Sequence, residues 1–196
     1  MHPELLSLSL FMLGTSCSPG PNNIVASYSG FNFGVIKTFP HMLGVIFGFT
    51  SVVCVLNFGL INIFKLYPLI QEILKISGSI FLVYLAYKIA FSKNVKENKK
   101  ENPVKFIETF FFQFLNPKGV IVAIIIVSTY VESGSNFINY SFWVILVSFL
   151  CALISITFWT FVGKFFRRFA TNDKFIKVFN YVMSSLLLAC IATFYL

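Results

Sequence analysis

The chain has 196 residues, 57% of them hydrophobic and only 11% charged, with a formal net charge of +8. Soluble domains carry about 25% charged residues, so this chain cannot dress a water-facing surface and the bilayer is its expected solvent. The positive charge raises a nucleic-acid partner, but the cations fall between apolar stretches rather than along one face, and no nucleic acid is expected.

Six stretches read as membrane spans: 4–29, 41–63, 69–90, 107–131, 138–162 and 175–195. Each is long enough for the ~20 residues a spanning helix needs. The expected class is an all-α integral membrane protein of six transmembrane helices. The first span contains "SCSPGPNNI", residues 16–24. Prolines lack an N–H and glycine is a poor helix former, so this stretch should interrupt the helix. If the flanks stay helical, Pro19 and Pro21 free the carbonyls of Thr15 and Cys17. Ser18 before Pro19 also reads as an N-cap with proline at the first helical position. The apolar start followed by "GTSC" imitates a lipoprotein cleavage site, but no Lys or Arg precedes it, and cleavage is not expected.

In the second span, His41 reads as a boundary marker rather than a proton relay. Asn57 reads as glue between helices, and Asn62 as a residue at a membrane surface. Between the third and fourth spans lies "SKNVKENKKENPVK", residues 92–105, the one plausible linker. It divides the chain into 1–91, a linker at 92–106, and 107–196, with three spans on each side. An odd number of spans per half means that a second copy enters the membrane upside down.

The fourth span carries the one counterpart of the first break, "FLNPKGV", residues 114–120. Asn116 and Pro117 repeat the cap-then-proline grammar, and Pro117 would free the carbonyl of Gln113. Unsatisfied backbone groups cost several kcal/mol in hydrocarbon and are tolerated only against protein or a water-filled cavity. Paired breaks in corresponding helices of two inverted halves point to a transporter's site. Free N–H groups and Asn side chains suit a carboxylate; carbonyls suit an ammonium. A small zwitterion satisfies both. Lys118 sits about eleven residues into this span, some 16 Å at 1.5 Å per residue, and is read as functional rather than snorkelling. The candidate substrate-binding residues are Ser18, Pro19, Gly20, Pro21, Asn22, Asn23, Gln113, Asn116, Pro117 and Lys118. The structural alternative for either motif alone is a packing kink.

The fifth and sixth spans carry no comparable motif. "SSLLLACIA" (184–192) matches "GSIFLVYLA" (78–86) at Ser, Leu and Ala. The seven acidic residues lie in loops or near span ends, so no mid-membrane carboxylate is available as a proton carrier. There is no metal-ligand cluster, phosphate loop or nucleophile–base set; no enzyme activity, cofactor or metal is expected. The four cysteines, Cys17, Cys54, Cys151 and Cys190, form no CxxC pair and read as small buried hydrophobes.

If loops alternate sides, Lys37, Lys88, the five lysines of residues 93–105 and the five cations of residues 164–177 share one side. Lys65 and Lys75 lie on the other, and Lys118 lies inside a span. The split is twelve to two, and the Lys/Arg-rich side is cytoplasmic. Both termini are therefore expected outside.

"SPGPNN" followed by "SGFNFGVIKTFPHMLGVIFGF", then "ISGSIFLVYLAYKIA" and "FLNPKGVIVAIIIVSTYV", resembles the lysine exporter family (the LysE/RhtB group of bacterial amino-acid exporters). The resemblance implies a small six-helix exporter of amino acids or their derivatives in the bacterial inner membrane, usually energised by the proton gradient. Motif carry-over falls on Ser18, Pro19, Gly20, Pro21, Asn22, Asn116, Pro117 and Lys118. Phe81 stands where Tyr is usual, Ala86 where Gly is usual, and Ser184 where Gly is common. Expected partners are a small zwitterionic substrate and the lipid bilayer, with a homodimer left open. Two other readings stay open. A membrane thiol–disulfide electron carrier needs a Cys beside each break, and residues 107–131 hold none. A non-transporting scaffold leaves the paired breaks unexplained.

Overall fold

The computed structural model describes residues 2–60, 68–92, 103–132, 134–170 and 172–195. Among them every regular element is helical. In chain order these are α1 (Leu5–Cys17), α2 (Pro21–Val55, closing in a π-helical turn over Leu56–Leu60), α3 (Pro68–Ala90), α4 (Phe106–Leu115), α5 (Pro117–Tyr130), α6 (Phe137–Phe166) and α7 (Asp173–Ala192). Four helical stretches are long and apolar enough to cross a membrane: Pro21–Gly59, Glu72–Ala90, Phe137–Phe169 and Asp173–Ala192. The bent pair α4–α5 counts as a fifth when taken as one span, and α1 is a shorter apolar helix. Most of the linker, and Lys65 and Asn62, lie outside the described residues.

One boundary differs from the sequence reading. The second span was expected to begin at His41, yet helix runs through from Pro21. A straight run of this length would exceed 50 Å at about 1.5 Å per residue, against roughly 30 Å of hydrocarbon. The run is divided at Gly34, whose φ of 79° and ψ of 171° are non-helical. Only glycine takes that conformation without a Cβ penalty, so the division falls at Gly34. His41 is consequently not a boundary marker: it is buried inside the helical run, against Thr109.

The two parts of α2 have different neighbours. Residues before Gly34 lie along the second half of α6 and reach α7. Ser27 donates to the Trp159 carbonyl at 2.9 Å, Asn32 donates to Asn180 at 2.9 Å, and Phe31 stacks on Phe179. The crossing is close because it is built on glycine. A Cβ at Gly163 would strike the carbonyl of Ser27, and one at Gly30 that of Thr160. Small residues at such crossings let backbones approach where lipid supplies no hydrophobic drive. Residues after Gly34 lie on α4, where Gly44 and Gly48 meet Phe106, Thr109 and Phe110.

The interior has two apolar clusters. One joins α1, the second part of α2, α5 and α6 through residues such as Met12, Phe49, Ile126 and Val144. The other joins the first part of α2 to α3, α4 and α7 through Val25, Leu82, Phe112 and Leu187. Large apolar side chains also point outwards all round, among them Ile36, Ile80, Phe111, Phe142 and Tyr181. A helix apolar all round is what lipid contact requires. Asn57 was expected to bind a neighbouring helix. It is buried, and both its amide atoms lack a partner among the described residues.

Candidate functional site

The chain between α1 and α2 is extended. Ser18 has φ −65° and ψ 147°, and Gly20 has φ −170° and ψ 173°. Proline disfavours the α conformation in the residue before it, so "SPGP" holds two positions, Ser18 and Gly20, out of the helix. The new helix starts at the second proline, with Gly20 as N-cap and Pro21 at the first helical position. Ser18 is therefore not the N-cap that its sequence context suggested. Between α4 and α5 a single residue does the same work: Asn116 is extended (φ −81°, ψ 101°), Pro117 opens α5, and the two helices meet at 62°.

The two interruptions meet in space. Lys118, in the first turn of α5, donates from Nζ to Ser18 Oγ at 2.7 Å and to the carbonyls of Ser18 and Pro19 at 3.2 Å each. The ammonium thus sits on backbone groups that the helix end leaves free. A Cβ on Gly20 would come within 2.9 Å of that Nζ, so glycine keeps the approach open.

The carbonyls left by the first interruption are taken by protein donors. Ser18 Oγ donates to the Thr15 carbonyl at 2.7 Å, and the Trp159 indole N–H to the Cys17 carbonyl at 3.1 Å. Asn23 Nδ2 and Ser155 Oγ both donate to the Ser16 carbonyl at 2.7 Å, and Asn23 also reaches the Ser18 carbonyl at 2.9 Å. Asn22 bonds to a different helix. Its amide and that of Gln113 exchange two hydrogen bonds, at 2.7 and 3.0 Å, joining α2 to α4.

A recess of about 530 Å³, its open mouth included, lies between these groups. Its polar wall is Thr15, Ser16, Asn22, Asn23, Asn116, Ser155 and Lys118. Its apolar wall includes Val45, Phe49, Val122, Ala152 and Ile156. No acidic residue lines it among the described residues. Asn116 is buried, and its Oδ1 has no hydrogen-bond partner among the described residues. Of the ten residues singled out from sequence, Gly20, Pro21, Asn22, Asn23, Asn116 and Lys118 line the recess. Ser18 touches Lys118, and Gln113 touches Asn22. Pro19 contributes its carbonyl to Lys118, while Pro117 is buried without lining the recess.

Sequence reasoning missed the contribution of α6. Ser141, Ser148 and Ser155 are all buried on it. Their seven-residue spacing places them along one helical face, and that spacing was the available signal. No group of three or more His, Cys, Asp or Glu side chains among the described residues could hold a metal. The four cysteines are free.

A helical membrane chain whose interrupted helices converge on a small recess with one polar and one apolar wall has the build of a transporter. Residues 13–196 match the family model of the LysE type translocator. A cysteine/O-acetylserine efflux protein of Salmonella typhimurium (strain LT2) is 32% identical over 195 residues, 97% of each chain. The protein of the same description from Escherichia coli (strain K12) is 30% identical over 195 residues, again 97% of each. No solved structure matches. The chain belongs to the LysE type translocator family. It is a multi-pass inner-membrane protein that exports amino acids, and it is not an enzyme.

Proposed function

We propose that this exporter moves small neutral amino acids of the cysteine and O-acetylserine kind out of the cell in exchange for protons. The observation that carries the reading is the convergence of the two proline interruptions on one recess, with Lys118 bridging them. The names of the relatives support the substrate class. So does the recess itself: among the described residues its lining has one cation, no carboxylate and an apolar wall, which suits a zwitterion with an uncharged side chain.

The substrate site comprises Ser18, Pro19, Gly20, Pro21, Asn22, Asn23, Gln113, Asn116, Pro117 and Lys118. The carboxylate lies near Lys118 and the N-terminal N–H groups of α2 and α5, where the helix dipole favours an anion. The carbonyls of Ser18 and Pro19 already serve Lys118. The amino group therefore turns to the unpartnered Oδ1 of Asn116. Pro19, Gln113 and Pro117 act by shaping the site rather than by lining it.

The architecture we favour is six spans in two inverted halves, 1–91 and 107–196, joined by a cytoplasmic linker at 92–106, with both termini outside. α1 with the first part of α2 forms the first span, and α4 with α5 forms its counterpart. The second part of α2 pairs with α6, and α3 with α7. The matching pattern of an extended cap followed by proline at the start of α2 and of α5 supports the pairing. Alternating access is then a rocking of one half on the other about the recess. A homodimer is compatible with the apolar outer faces but has no contact that specifies it.

The test is uptake of labelled cysteine and O-acetylserine into proteoliposomes. Both should be transported, their carboxyl amides poorly, and lysine poorly. Transport of amides at the rate of the parent acids would remove the carboxylate from the recognition scheme. Absence of transport for every amino acid tried would remove the function.

A further inference from the structure

His41 is a buried titratable side chain that the substrate site does not use. It is 2% exposed, on the part of α2 that lies along α4. Its Nδ1 is 2.9 Å from Thr109 Oγ1. That hydroxyl spends its own proton on the Lys105 carbonyl, at 3.1 Å, so it accepts from His41 and Nδ1 carries the hydrogen. Nε2 is then a lone-pair acceptor, buried and with no hydrogen bond of good geometry among the described residues, and the ring comes up against the Asn22 backbone. Burying such a group without a hydrogen bond is costly. The Thr109 carbonyl accepts from Gln113 Nε2 at 2.9 Å, and Gln113 exchanges two hydrogen bonds with Asn22, which lines the recess. His41 is thus tied to Thr109, and Thr109 through Gln113 to Asn22 at the substrate site.

We propose that His41 is the residue that carries the coupled proton, binding it at Nε2 and releasing it from that same atom once per substrate exported. This rests on the exchange reading above. The balance is one proton inwards for one zwitterion outwards, with no bond made or broken beyond Nε2–H. The other candidates among the described residues are placed badly for the task. Glu4, Glu72, Glu132 and Asp173 lie at helix ends or in turns. On α4, Glu108 Oε2 accepts from the Lys105 N–H at 3.2 Å, and Lys105 is exposed. Lys37, on the same helix as His41, is exposed, as is Lys164 on α6. On α7, Asp173, Lys174 and Lys177 are exposed, and on α5 Lys118 is engaged with Ser18 and Pro19. Among the described residues no ion pair reaches His41.

Proteoliposomes separate the steps. Counterflow, in which labelled cysteine exchanges for unlabelled cysteine across the membrane, needs the recess but no net proton movement. Accumulation driven by an imposed pH gradient needs both. His41→Gln and His41→Asn keep a polar side chain without a titratable one in this range. We expect at least one of them to keep counterflow within about twofold of the parent, while losing gradient-driven accumulation and the substrate-linked proton flux read by an internal pH dye. A variant that accumulates cysteine to the parental ratio overturns the assignment. So does loss of counterflow in both variants at normal membrane level, which would make His41 part of the binding structure. A parental protein that shows counterflow but no response to a pH gradient overturns the exchange reading together with it. No counterflow in the parent would instead point to failure of the substrate reading.

Discussion

Lys118 and Ser18, a hundred residues apart, meet with Nζ donating to Oγ at 2.7 Å. The contact ties the start of α5 to the residue following α1, and the same ammonium holds the Ser18 and Pro19 carbonyls. Two helix interruptions that the chain places far apart are thereby joined by one side chain at the edge of the recess.

Removing that ammonium should weaken carboxylate recognition. Hydrogen bonds to charged groups are worth about 1.5–3 kcal/mol, so Lys118→Ala should lower apparent substrate affinity by roughly tenfold or more. Ser18→Ala leaves both carbonyls for the ammonium and should cost less. Concentration dependence of uptake in proteoliposomes measures both. Equal affinity in parent and Lys118→Ala would place the carboxylate elsewhere.

Asn22 and Gln113 satisfy each other, so removing one strands the other. Gln113 is fully buried. An unsatisfied buried amide costs about 1–3 kcal/mol, whereas removing both partners is cheaper. Asn22→Leu and Gln113→Leu should each lower the melting temperature in detergent, and the double variant should lose less than the sum. Strict additivity of the two shifts would show that the reciprocal bonds contribute nothing as a pair.

Much of this site was legible because proline and glycine act locally. "SPGP" and "NP" announce where helix must stop whatever surrounds them, and Lys118 stands out because ions are costly in lipid. What escaped the sequence was the partner surface. Ser155 and Trp159 on α6 bind the carbonyls of Ser16 and Cys17, and nothing local announces that α6 packs there. The choice of Gly20 over Ser18 as N-cap depended on which of two prolines starts the helix, and Ser18 was drawn off by Lys118. The division at Gly34 escaped because a single glycine among apolar residues resembles many that merely allow close packing. His41 misled for a related reason. A polar residue near the start of an apolar stretch looks like a boundary until its Thr109 partner on another helix is known.

Gly163 should tolerate no side chain. A Cβ there runs into the Ser27 backbone carbonyl, which cannot turn aside as a flexible side chain could. Overpacking of this kind costs about 1–3 kcal/mol. Gly163→Ala should therefore lower the melting temperature, with Gly163→Leu worse. Gly14 is a fair control, because a Cβ there meets nothing within 4 Å. Gly163→Ala melting together with Gly14→Ala would mean that the α2–α6 crossing is looser than its geometry.

Orientation follows from the distribution of positive charge. Twelve Lys and Arg residues fall on one expected side and two on the other, and the richer side stays in the cytoplasm. Single cysteines at Asn98 and Gly134, in a background with Cys17, Cys54, Cys151 and Cys190 replaced, should report opposite sides. Gly134 is exposed in the turn before α6 and has a φ of 121°. A side chain is strained there, so Ser135, also exposed, serves as a second probe of that turn. An impermeant maleimide added to intact cells should label the Gly134 or Ser135 site and spare Asn98. A permeant reagent should label all of them. The reagents test accessibility rather than transport, so the result stands apart from any doubt over substrate. If Asn98 is labelled from outside while the turn before α6 is protected, the termini lie in the cytoplasm. His41, packed beside the first turns of α4, would then lie towards the outer face, the wrong side for releasing a proton that enters as substrate leaves.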